Sequence, residues 1–202
     1  MASIAGFERT NELRKQNRLK DYETNYALIA ESMVKSDVAF IVNGHPVYSV
    51  YSSSVNLAWG PTTSSDAIDL FYSEKEEFDN FKLDADDTNT KEYYKNNPID
   101  FYQKYPNVSS KTGHYLNLVD ISDTQVAMSL SSQDSGVHTY HRWEQAFGTS
   151  YDKFGKTELA SMTIAEYKQQ LQSYIDSLKN APEIYKQELA KLNDRKSKLT
   201  NV

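Results

Sequence analysis

The sequence predicts an α+β fold followed by a separate helical unit. Apolar residues recur at helical spacing over 7–36 and 64–80. Three short runs within 114–148 alternate apolar and polar side chains, and their short connections favour antiparallel pairing. Residues 163–199 carry a heptad pattern.

The first helical region, 7–36, reads as one or two pieces. Tyr22, Tyr26, Ile29 and Met33 fall on one face at spacings of four, three and four. Asn17-Arg18-Leu19-Lys20-Asp21 is the candidate interruption, with Asp21 as a possible cap. Asn43-Gly44-His45-Pro46 is a turn signal, because proline drives the residue before it out of helical geometry. Val47 to Tyr51 and the serines after it read as irregular or extended chain. The second helix spans 64–80, with Ser64 or Ser65 as cap and Asp66 and Asp69 complementing its dipole. Ala67, Leu70, Phe71, Glu74 and Phe78 form its stripe. Glu74 is the acid on that apolar stripe, and a carboxylate there needs a partner or a chemical role.

Residues 81–111 are polar and loop-rich, with a short helix within Glu92 to Lys104. Asp84 to Asn89 fails the EF-hand pattern: no glycine stands at the sixth position, and Lys95 stands at the twelfth. It reads as a solvated acidic loop. The three strands are His114 to Val119, Gln125 to Leu130, and Val137 to Phe147. Thr112-Gly113-His114-Tyr115 puts a turn and a histidine at the mouth of the first, which makes His114 a candidate floor for a cleft or a strand-end residue. His138 and His141 fall on opposite faces of the third and cannot share one metal. Thr163-Ile164-Ala165-Glu166 is a capping box. Ile164, Tyr167, Leu171, Tyr174, Leu178, Ala181, Tyr185, Leu192 and Leu199 then keep one heptad register, with Glu188 and Arg195 as its polar exceptions. Pro182 leaves two outcomes: a helical hairpin, or one rod kinked there.

Composition narrows the function. The 202 residues make one ordinary domain and an appendage. Hydrophobic content of 39% with 25% charged residues describes a globular chain rather than a disordered one. A net charge of −6 argues against general nucleic-acid binding, and no apolar run is long enough to cross a membrane. The absence of cysteine excludes disulfides, thiolate zinc sites and cysteine nucleophiles. Met1-Ala2-Ser3 lacks the features of a secretion signal, and Leu199 to Val202 stops inside a helical pattern. The expectation is a fragment of a longer protein.

Ser54-Val55-Asn56-Leu57-Ala58-Trp59-Gly60, then Ala67-Ile68-Asp69-Leu70-Phe71-Tyr72-Ser73-Glu74, then Gly113-His114-Tyr115, then Trp143-Glu144-Gln145-Ala146-Phe147-Gly148 follow one another as motifs do in the CAP superfamily. That superfamily holds the cysteine-rich secretory proteins, venom antigens and plant pathogenesis-related proteins. Thr10 to Asn17 also resembles its first helix. The resemblance covers residues 7–150, with 163–199 as a coiled-coil stalk or hairpin. A CAP domain followed by heptads and lacking cysteine resembles most the surface-exclusion proteins of Gram-positive conjugative plasmids.

The resemblance implies an α-β-α sandwich with a central antiparallel sheet. It also implies a cleft of two histidines and two glutamates that holds a divalent metal in some members. His114 takes the place of one cleft histidine, Glu74 that of one glutamate, and His45 that of the upstream histidine. The other glutamate is missing, because Val55 stands at its position. His114, Glu74 and His45 are therefore the candidate catalytic residues, and His45 and His114 the candidate ligands for a metal such as zinc. The implied location is the cell surface or wall, with any membrane attachment outside these residues. The implied partners are a cell-surface protein, a wall component or a peptide, with a coiled-coil dimer through the stalk. The alternatives are a metal-assisted protease and a lipid- or sterol-binding module.

Overall fold

The computed structural model describes residues 2–134, 139–152 and 154–200. Two compact units divide the chain at Ile164. In the first, α1 (Ala2–Gln16) and α2 (Tyr26–Val42) precede β1 (Ser52–Trp59). Six short helices follow: α3 (Ser64–Ser73), α4 (Lys75–Asn80), α5 (Lys91–Asn96), α6 (Pro98–Lys104), α7 (Pro106–Ser109) and α8 (Gly113–Val119). The strands β2 (Gln125–Asp134) and β3 (Thr139–Gly148) complete the sheet, and α9 (Ile164–Thr200) forms the second unit.

The sheet is antiparallel with order β1-β3-β2. Alternation along the strands sends successive residues to opposite helical layers. Leu57, Glu144 and Ser129 lie side by side across the three strands and face α2, where Ser129 Oγ donates to Ser32 O at 2.7 Å. The next row, Asn56, Gln145 and Met128, faces α1 and α8. There Gln145 Nε2 donates to Thr10 Oγ1, and Asn56 Nδ2 donates to the His114 carbonyl. The expected sandwich is therefore present. Gly6 lets α1 settle on the sheet, since a Cβ there would lie 2.3 Å from Met128 Sδ and 2.8 Å from Ser64 Cβ.

Some expectations need correction, and others left open by the sequence are decided between their alternatives. The expected strand His114–Val119 is helix α8. Its buried residues are Tyr115, Leu116, Leu118 and Val119, a helical spacing that a seven-residue run does not distinguish from alternation. The helical region 7–36 is two helices, and α1 ends where Arg18 turns left-handed at φ 60°. Asn25 rather than Asp21 caps α2, accepting from the Leu28 N–H at 2.8 Å. Tyr26 and Met33 are exposed, and Tyr22 is buried outside any helix, so the buried face of α2 is instead Leu28, Ile29, Ser32, Lys35, Ser36 and Ala39. Over 64–80 the cap is Thr63, the helix breaks at Glu74, and Leu70 is half exposed while Ile68 is buried. The serines expected as irregular or extended chain begin β1. Val137 and His138 lie outside the described residues. In the second unit the helix is continuous through Pro182, a rod rather than a hairpin.

The interior carries charge that the hydrophobic pattern did not announce. Glu31 accepts from the backbone N–H groups of Val50, Tyr51 and Ser52 and from the Ser52 hydroxyl. Lys35 Nζ lies 3.3 Å from Glu31 and donates to Ser52 Oγ at 2.7 Å. Behind them Glu144 is fully buried, and neither carboxyl oxygen has a hydrogen-bond partner. Burial pushes Glu144 up to about 8, helped by the charge of Glu31 and opposed by that of Lys35.

This gives a prediction with a definite sign. The folded value lies above the unfolded carboxylate value, so the folded state holds the extra proton and stability falls as pH rises between the two. Urea unfolding of the wild type from about pH 5 to about pH 8 should show a loss on the order of 2 kcal/mol that Glu144→Gln lacks. Parallel profiles for the two proteins would refute it.

Candidate functional site

Glu74 sits at the junction of α3 and α4 with φ −63° and ψ −12°. Its side chain crosses to the start of α8. Oε2 accepts from the backbone N–H of His114 at 2.8 Å and of Tyr115 at 3.2 Å. Oε1 lies 2.7 Å from His114 Nδ1. A carboxylate at a helix N-terminus satisfies donors that have no partner within the helix and complements the dipole. Because a carboxylate accepts, Nδ1 carries a hydrogen toward Glu74, and in the neutral ring Nε2 keeps the lone pair. The Phe71 ring packs on the imidazole at 4.9 Å between centroids and fixes its plane.

His114 lines a groove of about 330 Å³ together with His45, Val55, Tyr102, Ser109 and Asn117. The turn Asn43–Pro46 places His45 there: Asn43 ends α2 in the left-handed conformation at φ 51°. Arg142 holds that turn by donating to Ala39 O and Asn43 Oδ1 while stacking on Phe40. Surrounding protein pushes His45 below the usual imidazole range, and the positive charges of His114 and Lys35 act in the same direction.

The groove wall is an amide and hydroxyl chain. Tyr102 Oη donates to Gly113 O at 3.3 Å and to Asn117 Oδ1 at 3.1 Å. Asn117 Nδ2 donates to Asn56 Oδ1 at 2.9 Å. Burial pushes the Tyr102 hydroxyl up, and the charges of Asp120 and Glu74 push it further, so it stays a neutral donor. The structure thus brings Glu74 and His114 into contact and sets His45 and Val55 on the same groove. The wall residues Tyr102 and Asn117 escaped the sequence reading. Tyr102 reads as one packing aromatic among fifteen tyrosines, and nothing in the local pattern singles out Asn117.

The donor set falls short of a zinc site. Glu74 has both oxygens committed to N–H groups, and Val55 offers no ligand. Two imidazoles remain, whereas catalytic zinc takes three protein ligands. Among the described residues no group of three or more His, Cys, Asp or Glu is placed to hold a metal ion.

No family model and no curated protein matches the sequence. Among solved structures the chain is similar to MpPR-1i, in a crystal soaked with selenourea, at 11% identity and a TM-score of 0.45. That similarity covers 70% of this chain and 85% of the other. Among the described residues no helix is long and apolar enough to cross a membrane.

Two outcomes follow from this geometry. Glu74→Ala should cost about 1–2 kcal/mol in urea unfolding, the range for a lost helix cap. ¹⁵N spectra of wild-type neutral His114 should show the Nδ1–H tautomer, and Glu74→Ala should shift the balance toward Nε2–H. An unchanged tautomer would separate the carboxylate from the imidazole's orientation. Calorimetric titration with zinc should release no heat beyond dilution.

Proposed function

We propose that this chain is a CAP-type binding module of an extracellular cell-surface protein of a Gram-positive bacterium, acting in cell–cell contact and surface exclusion during conjugation. The observation that carries this reading is the fate of Glu74. With that carboxylate committed to α8 and to Nδ1, the groove offers one free nitrogen on His114, amides, hydroxyls and Val55. Such a set suits recognition of a ligand, and the groove's serines, Ser109 and Ser110, donate to the carbonyls of Pro106 and Asn107 rather than to His114.

A second feature supports recognition. Between Asp37 and Asp66 the chain has no Asp, Glu, Lys or Arg, although a quarter of its residues are charged. This run provides His45 and Val55 to the groove, and Val47 and Tyr48 beside them are almost fully exposed. Interface cores are depleted in charge and enriched in aromatic residues. The partner is a cell-surface protein, a wall component or a peptide, and not nucleic acid. The helical unit carries Tyr174, Leu178, Tyr185 and Leu192 uncovered on its heptad face, suited to a coiled-coil dimer that holds the module away from the wall.

Recipient cells displaying the protein should accept a conjugative plasmid about tenfold less often than cells without it. Tyr48→Asp should remove most of that protection, as expected of an aromatic anchor at an interface. Equal mating frequencies with and without the displayed protein would overturn the reading.

The His114–Glu74 contact supports a hydrolase as the second reading, with His114 Nε2 as general base and Glu74 orienting it. It requires casein cleavage by the wild type that disappears in both Glu74→Gln and His114→Ala. No cleavage by the wild type, or equal cleavage by the variants, ends it.

A further inference from the structure

A second cavity, of about 590 Å³, shares no lining residue with the groove. Arg14, Arg18 and Lys20 line it on the basic side, and Asp123 and Glu23 are among its acids. Its volume lies in the range of small-molecule sites.

Two of these charges are buried and under-used. Arg14 is 4% exposed and lies flat on the Tyr22 ring at 3.6 Å. Its Nε donates to Lys20 O at 2.8 Å, and Nη1 donates to Leu118 O at 2.9 Å and Asp120 O at 3.0 Å. Those three bonds use Nε and Nη1, and the Arg14 side chain also lines the cavity. Asp123 is 3% exposed and accepts from Ser53 at 2.6 Å. Burial pushes it up to about 6, against the pull of Ser53 and of the Arg14 charge. Each of the two charges thus acts on the other, but no ion pair within 4.0 Å joins them. Buried opposite charges that do not touch lose the compensation that contact would supply. Both line the same cavity, which so offers a ligand one buried charge of each sign.

Arg18, left-handed at φ 60° where the Leu19 and Arg18 N–H groups close the end of α1 on Arg14 O and Lys15 O, lines the cavity as well. Leu19 and Ile121 add an apolar wall, with Ile121 half exposed.

We propose that this cavity binds a small zwitterion of the amino-acid type. The ligand places its carboxylate on Arg14 Nη2, its ammonium on Asp123, and an apolar side chain against Leu19 and Ile121. A guanidinium edge is the preferred protein partner for a carboxylate.

Calorimetry on the full chain with L-leucine, 4-methylpentanoate and 3-methylbutylamine tests this. The last two each lack one of the charged groups. L-Leucine should bind at least roughly tenfold more tightly than either, about 1.4 kcal/mol. Asp123→Asn, which keeps an oxygen for Ser53, should weaken leucine by a similar factor and leave 4-methylpentanoate unchanged. No saturable heat from leucine at about 10 mM, or equal affinities for all three ligands, would overturn the proposal. The three-ligand comparison uses only the wild type and decides the matter even if the variant does not fold.

Discussion

The site hangs on one carboxylate. Glu74 ends α3, caps α8 and holds the His114 ring by its Nδ1 edge. These tasks cannot be separated, because the backbone N–H that starts α8 and the imidazole it orients belong to the same residue. A carboxylate used this way gives the groove a fixed imidazole at the expense of its own availability. That is why the chemistry of the site reduces to Nε2 and the amides around it.

What holds α8 in place from behind is an aromatic lattice. Tyr115 and Leu116 join Phe78, Tyr94, Phe101 and Tyr105 in one buried cluster, with Phe78 meeting Phe101 edge-on at 5.3 Å. Edge-on ring pairs contribute beyond their buried area. The lattice is closed on one side by Asp87, which accepts from the hydroxyls of Tyr94 and Tyr105 and pairs with Lys104 at 3.1 Å. Those bonds hold Asp87 well below the usual carboxylate range, working against desolvation. The acidic loop 84–89, expected as solvated, thus contributes one inward carboxylate that ties short helices together where no long helix spans the region.

The opposite layer is organised by charge as well as by apolar burial. Glu31 gathers the backbone at the entry to β1, Lys35 neutralises it, and Glu144 is left buried beneath. On the other face of the sheet Arg14 joins the end of α1 to Leu118 and Asp120 at the end of α8. The consequences differ. Glu144 makes stability depend on pH, while Arg14 puts a buried positive charge on the wall of a cavity.

Much of the architecture was legible in the sequence because it depends on local period. Helices within 7–36, 64–80 and 163–199 and the antiparallel pairing of β2 with β3 were legible from local spacing, although the face read from Tyr22, Tyr26, Ile29 and Met33 is not the buried one and Glu74 stands at a helix break. The motif order that resembles the CAP superfamily also singles out Glu74 and His114, which meet in the fold. What the sequence did not determine lies where distant residues meet. Seven residues from Gly113 to Val119 satisfy both periods, and the choice of helix is reinforced by a cap from forty positions upstream. The buried face of α2, the inward turn of Asp87 and the burial of Arg14 depend likewise on partners far along the chain. Local period encodes which side chains share a face, but only the packed fold decides what that face meets and which polar groups lose their water.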